Sequence, residues 1–81
     1  MSIQRDEALE TVRQLWQEHF HLDSLPDDAN FFELGGRSRE LVMVAFAIEE
    51  RFSVELSLRE LINALTPTAM TDLVLGKVGA A

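Results

Sequence analysis

FFELGGRSRELVMV, Phe31 to Val44, sets an aromatic pair, a glycine pair and a serine immediately ahead of an apolar run. At 100° per residue, Leu41, Val44, Ala45, Ile48 and Phe52 fall within one stripe, while Glu40, Glu50 and Arg51 lie off it. That spacing predicts a helix over 38–52. Its first N–H groups have no intrahelical partner, and the aligned peptide dipoles place partial positive charge there. Gly35 and Gly36 put no side chain in the way of an approach from outside, and either can take a positive φ to turn the chain into the helix. Such a corner presents the Ser38 hydroxyl outward, with Arg37 and Arg39 adding positive charge on each side. The stretch reads as an offered hydroxyl beside a helix end that suits an anion. A serine N-cap would need the same location, so the two roles coexist.

Working outward, Leu9, Val12, Leu15, Trp16 and Phe20 recur at spacings of three and four and predict a first helix over 6–22. Residues 23–37 hold Pro26, several acids, Asn30 and the glycine pair without a sustained period, which predicts a long loop. Phe31, Phe32 and Leu34 are expected to pin that loop to the core. On the other side, Ser57-Leu58-Arg59-Glu60 matches a capping box, with Leu56 and Leu61 placed for a hydrophobic staple, and predicts a short helix over 57–65. Thr66-Pro67 supplies an N-cap and a proline at the first helical position. Met70, Leu73 and Val74 give the last helix, 67–75, its buried face before GKVGAA frays. The expected fold class is all-α: one domain over 1–81, a small four-helix bundle with a short third helix and one long loop.

The 81 residues suffice for one core, with a radius of gyration near ~12 Å. With no cysteine, disulfides and thiolate metal sites are excluded. The longest apolar run, Leu41 to Ile48, is far shorter than a membrane span, and MSIQRDEALE does not read as a signal peptide. Hence no membrane association and a cytoplasmic location are expected. The net charge of −7 argues against nucleic acid as a partner and favours basic protein surfaces.

NFFELGGRS, followed by a helix, then VELSLRELI and Pro67-Thr68, resembles the peptidyl carrier proteins of nonribosomal peptide synthesis, a family with an acyl carrier protein-like fold. The family pattern FFxLGGxS is met from Phe31 through Ser38, and the similarity runs from about Leu15-Trp16 to Val74. The resemblance implies that a phosphopantetheinyl transferase attaches 4′-phosphopantetheine from coenzyme A to Ser38. The arm's thiol then carries an aminoacyl or peptidyl group as a thioester. Beside Ser38, Gly36, Arg37 and Arg39 at the helix end are expected to bind the arm's phosphate. A carrier of this kind is a substrate of other enzymes, not an enzyme. The implied partners are the transferase, an adenylating enzyme that loads the arm, and a condensing or tailoring enzyme, met by a monomeric carrier. The starting methionine and compact length suggest a free-standing carrier rather than an excised piece of a synthetase. The sequence does not reveal the cargo.

This chain departs from the family pattern in three places. Arg39 stands where an apolar residue usually follows the serine. Ala29 replaces a usual aspartate, and two extra residues precede Pro67. On helix two, Val42, Met43 and Phe46 lie 100° to 200° from Leu41, off the core stripe, and are expected to form a docking face; the bland reading makes them core in a wider stripe. Asp23-Ser24-Leu25 imitates the attachment motif of fatty-acid and polyketide carriers, but Pro26 follows at once and no long helix begins there. Ser2, Ser53 and Ser57 sit in a terminus, a short break and a capping box. His19 and His21 lack a supporting ligand array, and Asp27, Asp28 and Glu33 lack calcium-loop spacing, so no metal site is expected. GGRSR lacks a hydrolase nucleophile elbow. Two alternatives remain: an acyl carrier of a polyketide or fatty-acid type pathway, and a helical adaptor without a prosthetic group.

Overall fold

The structure is a computed structural model that describes residues 4–79, with only the backbone of Gly79. The chain forms α1 (Arg5–Phe20), α2 (Ser38–Phe52), α3 (Leu58–Ile62) and α4 (Pro67–Gly79), with no strand among the described residues. α1 packs chiefly on α4 and then on α2, and α3 leans on α2. The Cα radius of gyration is 11.5 Å. Val12 and Trp16 of α1, Leu41, Val44, Ala45 and Ile48 of α2, Leu61 of α3, and Met70 and Val74 of α4 meet in one core, joined by Leu25 and Phe31 from the long loop. Trp16 Nε1 lies 3.3 Å from Met70 Sδ, so the indole N–H is satisfied inside the core by a polarizable sulfur.

Local chemistry explains most helix boundaries. Ser57 Oγ accepts from Glu60 N (3.2 Å) while Glu60 Oε1 accepts from Ser57 N (2.9 Å), which closes the capping box that starts α3. Lys77 Nζ sits 2.7 Å from Glu60 Oε2 and ties α3 to α4. Lys77, and then the Ser57 backbone, hold the Glu60 carboxyl down to about 2. Thr66 Oγ1 accepts from Ala69 N (3.1 Å) and caps α4, with Pro67 next in the chain.

Several boundaries differ from the sequence expectations. α1 stops at Phe20, because His21 takes a left-handed conformation (φ 57°, ψ 48°) and donates its N–H to Gln17 O; Leu22 lies outside the helix and is exposed. α3 has only five residues, since Asn63 (φ −91°, ψ 5°) turns its N–H back to Glu60 O and leaves the helical path. α4 instead continues through Gly76 to Gly79; the expected fraying of 76–81 does not begin at Gly76, and Ala80 and Ala81 lie outside the described residues, as does Ser2. On α4 the buried positions are Pro67, Met70, Thr71 and Val74, with Leu73 only half-buried. Thr71 tolerates burial because its hydroxyl donates to Pro67 O (2.7 Å).

The segment between α1 and α2 is fastened at several points. Asp27 O accepts from both Thr68 N (3.1 Å) and Thr68 Oγ1 (3.0 Å), and the Asp27 carboxylate pairs with Arg13 of α1 (3.0 Å). Phe31 N donates to Leu65 O (2.8 Å). Phe31 is fully buried, whereas Phe32 is 42% exposed. Of the three residues expected to pin the loop, Phe31 does so, Leu34 packs at the core's margin, and Phe32 does not.

Candidate functional site

The approach to Ser38 is built on Phe31. Its ring meets Trp16 edge-on at 5.0 Å and Phe20 at 5.0 Å, so both α1 aromatics clamp it. Asn30 Oδ1 accepts from Phe32 N (2.9 Å) and Glu33 N (3.2 Å), folding the chain into a turn. Gly35 N then donates to Phe32 O and Gly36 N to Phe31 O, each at 3.1 Å.

The two glycines have different tasks. Gly35 adopts φ +95°, with open space where a Cβ would stand, so its requirement is conformational. Gly36 is buried, and a Cβ there would lie 2.3 Å from Phe31 Cε1 and 2.9 Å from Phe20 Cζ. Gly36 therefore faces the aromatic cluster instead of clearing a path from outside. That corrects the expected role of Gly36 beside a ligand; its absent side chain lets the corner close onto the core.

Arg37 is the N-cap of α2, in extended conformation (φ −114°, ψ 171°), and Ser38 is the first helical residue. Ser38 is therefore not itself the cap. Glu40 Oε1 accepts from Arg37 N (3.0 Å), one half of a capping box. The reciprocal half is missing, because a guanidinium has no acceptor. Ser38 is exposed, and its Oγ has no hydrogen-bond partner among the described residues. The N–H groups of Ser38, Arg39 and Glu40 occupy the first turn, where no i−4 carbonyl is available within the helix. Arg37 and Arg39 are exposed, and neither is in an ion pair among the described residues, whose pairs involve Arg5, Arg13, His19 and Lys77. An outward hydroxyl, orphan backbone donors and two uncommitted guanidinium groups fit a phosphodiester on Ser38 Oγ.

Further along α2, Val42, Met43 and Phe46 are 51%, 56% and 61% exposed, so they are not part of a wider core stripe. Phe46 and Val42 also line an apolar groove between α2 and α3, with Ala45, Leu56, Leu58 and Leu61. Leu58 and Ile62 of α3 add exposed apolar surface that the sequence reading did not single out. The sequence reading missed it because it extended this helix to 65, whereas α3 ends at Ile62 and its five residues leave Leu58 and Ile62 exposed.

Ser24 is exposed but lies outside any helix, next to buried Leu25. His19 faces Glu40 (3.2 Å), while His21 is exposed beyond the end of α1. No group of three or more His, Cys, Asp or Glu side chains among the described residues gathers where an ion would be held. No described helix is long and apolar enough to cross a membrane.

The family model described as "Phosphopantetheine attachment site" matches residues 10–74. Among curated proteins, the hybrid PKS-NRPS synthetase pyvA of Aspergillus violaceofuscus is 33% identical over 76 residues, covering 90% of this chain and 2% of that protein. Bacitracin synthase 1 of Bacillus licheniformis is 28% identical over 65 residues, covering 80% of this chain and 1% of that protein. The chain thus spans only 1–2% of the length of these relatives. Among solved structures, BlmI, a type-II acyl-carrier-protein from Streptomyces verticillus involved in bleomycin biosynthesis, superposes with a TM-score of 0.83 at 30% identity, covering 89% of this chain and 87% of that one. The chain belongs to the phosphopantetheine-attachment family: it is a carrier protein close to the peptidyl carriers, and the group its family carries covalently is 4′-phosphopantetheine.

Proposed function

We propose that Ser38 is the attachment residue, and that the protein carries an aminoacyl or peptidyl group between enzymes of natural-product biosynthesis. The observation that carries the assignment is the exposed, unpartnered Ser38 hydroxyl at the first position of α2, between Arg37 and Arg39. An unactivated serine is a weak nucleophile, and no histidine or carboxylate of the described chain bonds to Ser38 Oγ. Its proton must therefore leave to a base brought by a phosphopantetheinyl transferase. The Oγ–P bond forms as the pyrophosphate P–O bond to the adenosine half of coenzyme A breaks. The attached arm supplies a terminal thiol on which the cargo is held as a thioester.

Arg37, Arg39 and the first-turn N–H groups of α2 would hold the phosphodiester, with Gly35 and Gly36 fixing the corner. Val42, Met43 and Phe46 are the proposed contacts to partners: the transferase, an adenylating enzyme and a condensing or tailoring enzyme. Similarity to a bacitracin synthase supports an aminoacyl cargo, whereas similarity to BlmI keeps an acyl cargo as a second reading. Intact-mass measurement after incubation with coenzyme A and a broad-specificity transferase should show addition of one phosphopantetheine. A panel of adenylating enzymes and acyl-CoA donors then separates the cargo classes. A protein unchanged in mass would exclude the carrier role and favour an adaptor without a prosthetic group.

A further inference from the structure

Glu40 uses both carboxylate oxygens at once. Oε1 accepts from Arg37 N (3.0 Å), and Oε2 lies 3.2 Å from His19 Nε2 on α1. A carboxylate only accepts, so this contact requires the proton on Nε2. The His19 ring in turn stacks on Phe31 at 25° between planes and meets Phe20 edge-on at 5.0 Å. Phe31 O accepts from Gly36 N, the residue just before Arg37. The contacts form a closed circuit, Phe31 to Gly36 to Arg37 to Glu40 to His19 and back to Phe31, and Ser38 stands directly on its rim. Both side chains of the His19–Glu40 pair are half-buried, where such a bond is less screened than on an open surface.

From this circuit we propose that Glu40 is a positioning residue for Ser38: it locks the corner to α1, so the free protein presents the hydroxyl in the geometry a transferase recognises. The proposal rests on Ser38 being the attachment residue. Glu40 touches neither the reacting oxygen nor any cofactor. Its effect is on the fraction of molecules whose corner is closed, and a binding-competent fraction below one raises the apparent dissociation constant in proportion.

The test uses the full chain in two arms. Amide hydrogen exchange by NMR compares wild type with Glu40→Ala, Glu40→Gln and His19→Leu. Loading kinetics with coenzyme A and one transferase follow the same proteins well below their melting temperatures. Glu40→Ala should reduce protection of the Arg37 amide roughly tenfold, the equivalent of one hydrogen bond to a charged group, and leave Ala45 and Ile48 in α2 unchanged. In the loading arm its KM should rise about threefold to tenfold with kcat within about twofold. Glu40→Gln retains an acceptor for Arg37 N but turns an amide NH2 toward His19 Nε2–H, and should show a smaller rise in KM than Glu40→Ala. His19→Leu keeps apolar cover on Phe20 and Phe31 while removing the bond, and should show a smaller rise in KM.

Unchanged protection at Arg37 in folded Glu40→Ala overturns the proposal, and so does a loss confined to kcat. If Glu40→Ala does not fold, His19→Leu with unchanged protection and unchanged KM overturns it instead. A wild-type protein that is never loaded removes the Ser38 assignment and with it the loading arm, and the exchange arm still decides whether Glu40 locks the corner.

Discussion

Replacing Gly36 by alanine tests the corner most sharply on the structural side. The added methyl carbon would lie 2.3 Å and 2.5 Å from Phe31 Cε1 and Cδ1, and 2.9 Å from Phe20 Cζ. Each is below the closest approach real carbons make, so something must move. Phe31 has little room to move: it is fully buried, with the rings of Trp16 and Phe20 each 5.0 Å away. Overpacking at such a site costs about 1–3 kcal/mol. For a domain of this size that corresponds to a fall in Tm of roughly 5–20 °C, against a total stability of only ~4–12 kcal/mol. Gly35→Ala serves as the contrast, because it meets open space and loses only through its φ of +95°, roughly 1 kcal/mol. Thermal and urea denaturation followed by circular dichroism measure both. Phe31→Leu in the Gly36→Ala background should recover part of the loss, a coupling expected between residues in contact. A Gly36→Ala protein that melts within two or so degrees of wild type, or a double variant whose losses simply add, would refute the steric argument.

Acid should weaken the α3–α4 junction through Glu60, whose carboxyl is held down to about 2 from its usual 4.5 by Lys77 and Ser57. A depressed folded-state pKa adds stability above about pH 4.5, lost as pH falls toward 2. Glu60→Gln should therefore flatten the dependence of Tm on pH between 4.5 and 2, and a slope equal to that of wild type would contradict the assignment. Thr66→Ala removes the acceptor for Ala69 N and should cost about 0.5–2 kcal/mol by urea denaturation, with loading unaffected. Met43→Ala and Phe46→Ala remove exposed side chains and should change stability by no more than about 0.5 kcal/mol while raising KM in a partner reaction. A large loss of Tm in either variant would return those residues to the core.

The parts of the fold legible in the sequence are those that local chemistry decides. The stripe from Leu41 to Ile48, the Ser57–Glu60 capping box and the Thr66-Pro67 start are each contained within one element, so periodicity and capping rules reach them. The misreadings concern distance along the chain or conformations without a signature residue. α1 ends on a left-handed histidine, where a glycine or asparagine would have been the readable signal. Adjacent Phe31 and Phe32 look equivalent in a loop without a period, but one is core and the other is exposed. The outward hydroxyl of Ser38 was readable from the glycine pair and the helix that follows it. The inward task of Gly36 was not, because it depends on Phe20 and Phe31 arriving from other segments. Likewise, His19 and Glu40 are 21 residues apart on different helices, and only packing brings them together.

The most direct measurement is peptide-level mass spectrometry of the wild type and of Ser38→Ala, each incubated with coenzyme A and a phosphopantetheinyl transferase, alongside circular dichroism of both. The account predicts one added phosphopantetheine on the peptide containing Ser38, none on the variant, and helical spectra that coincide, since the lost hydroxyl has no hydrogen-bond partner among the described residues. Modification that persists in folded Ser38→Ala, on Ser24 or anywhere else, would contradict it.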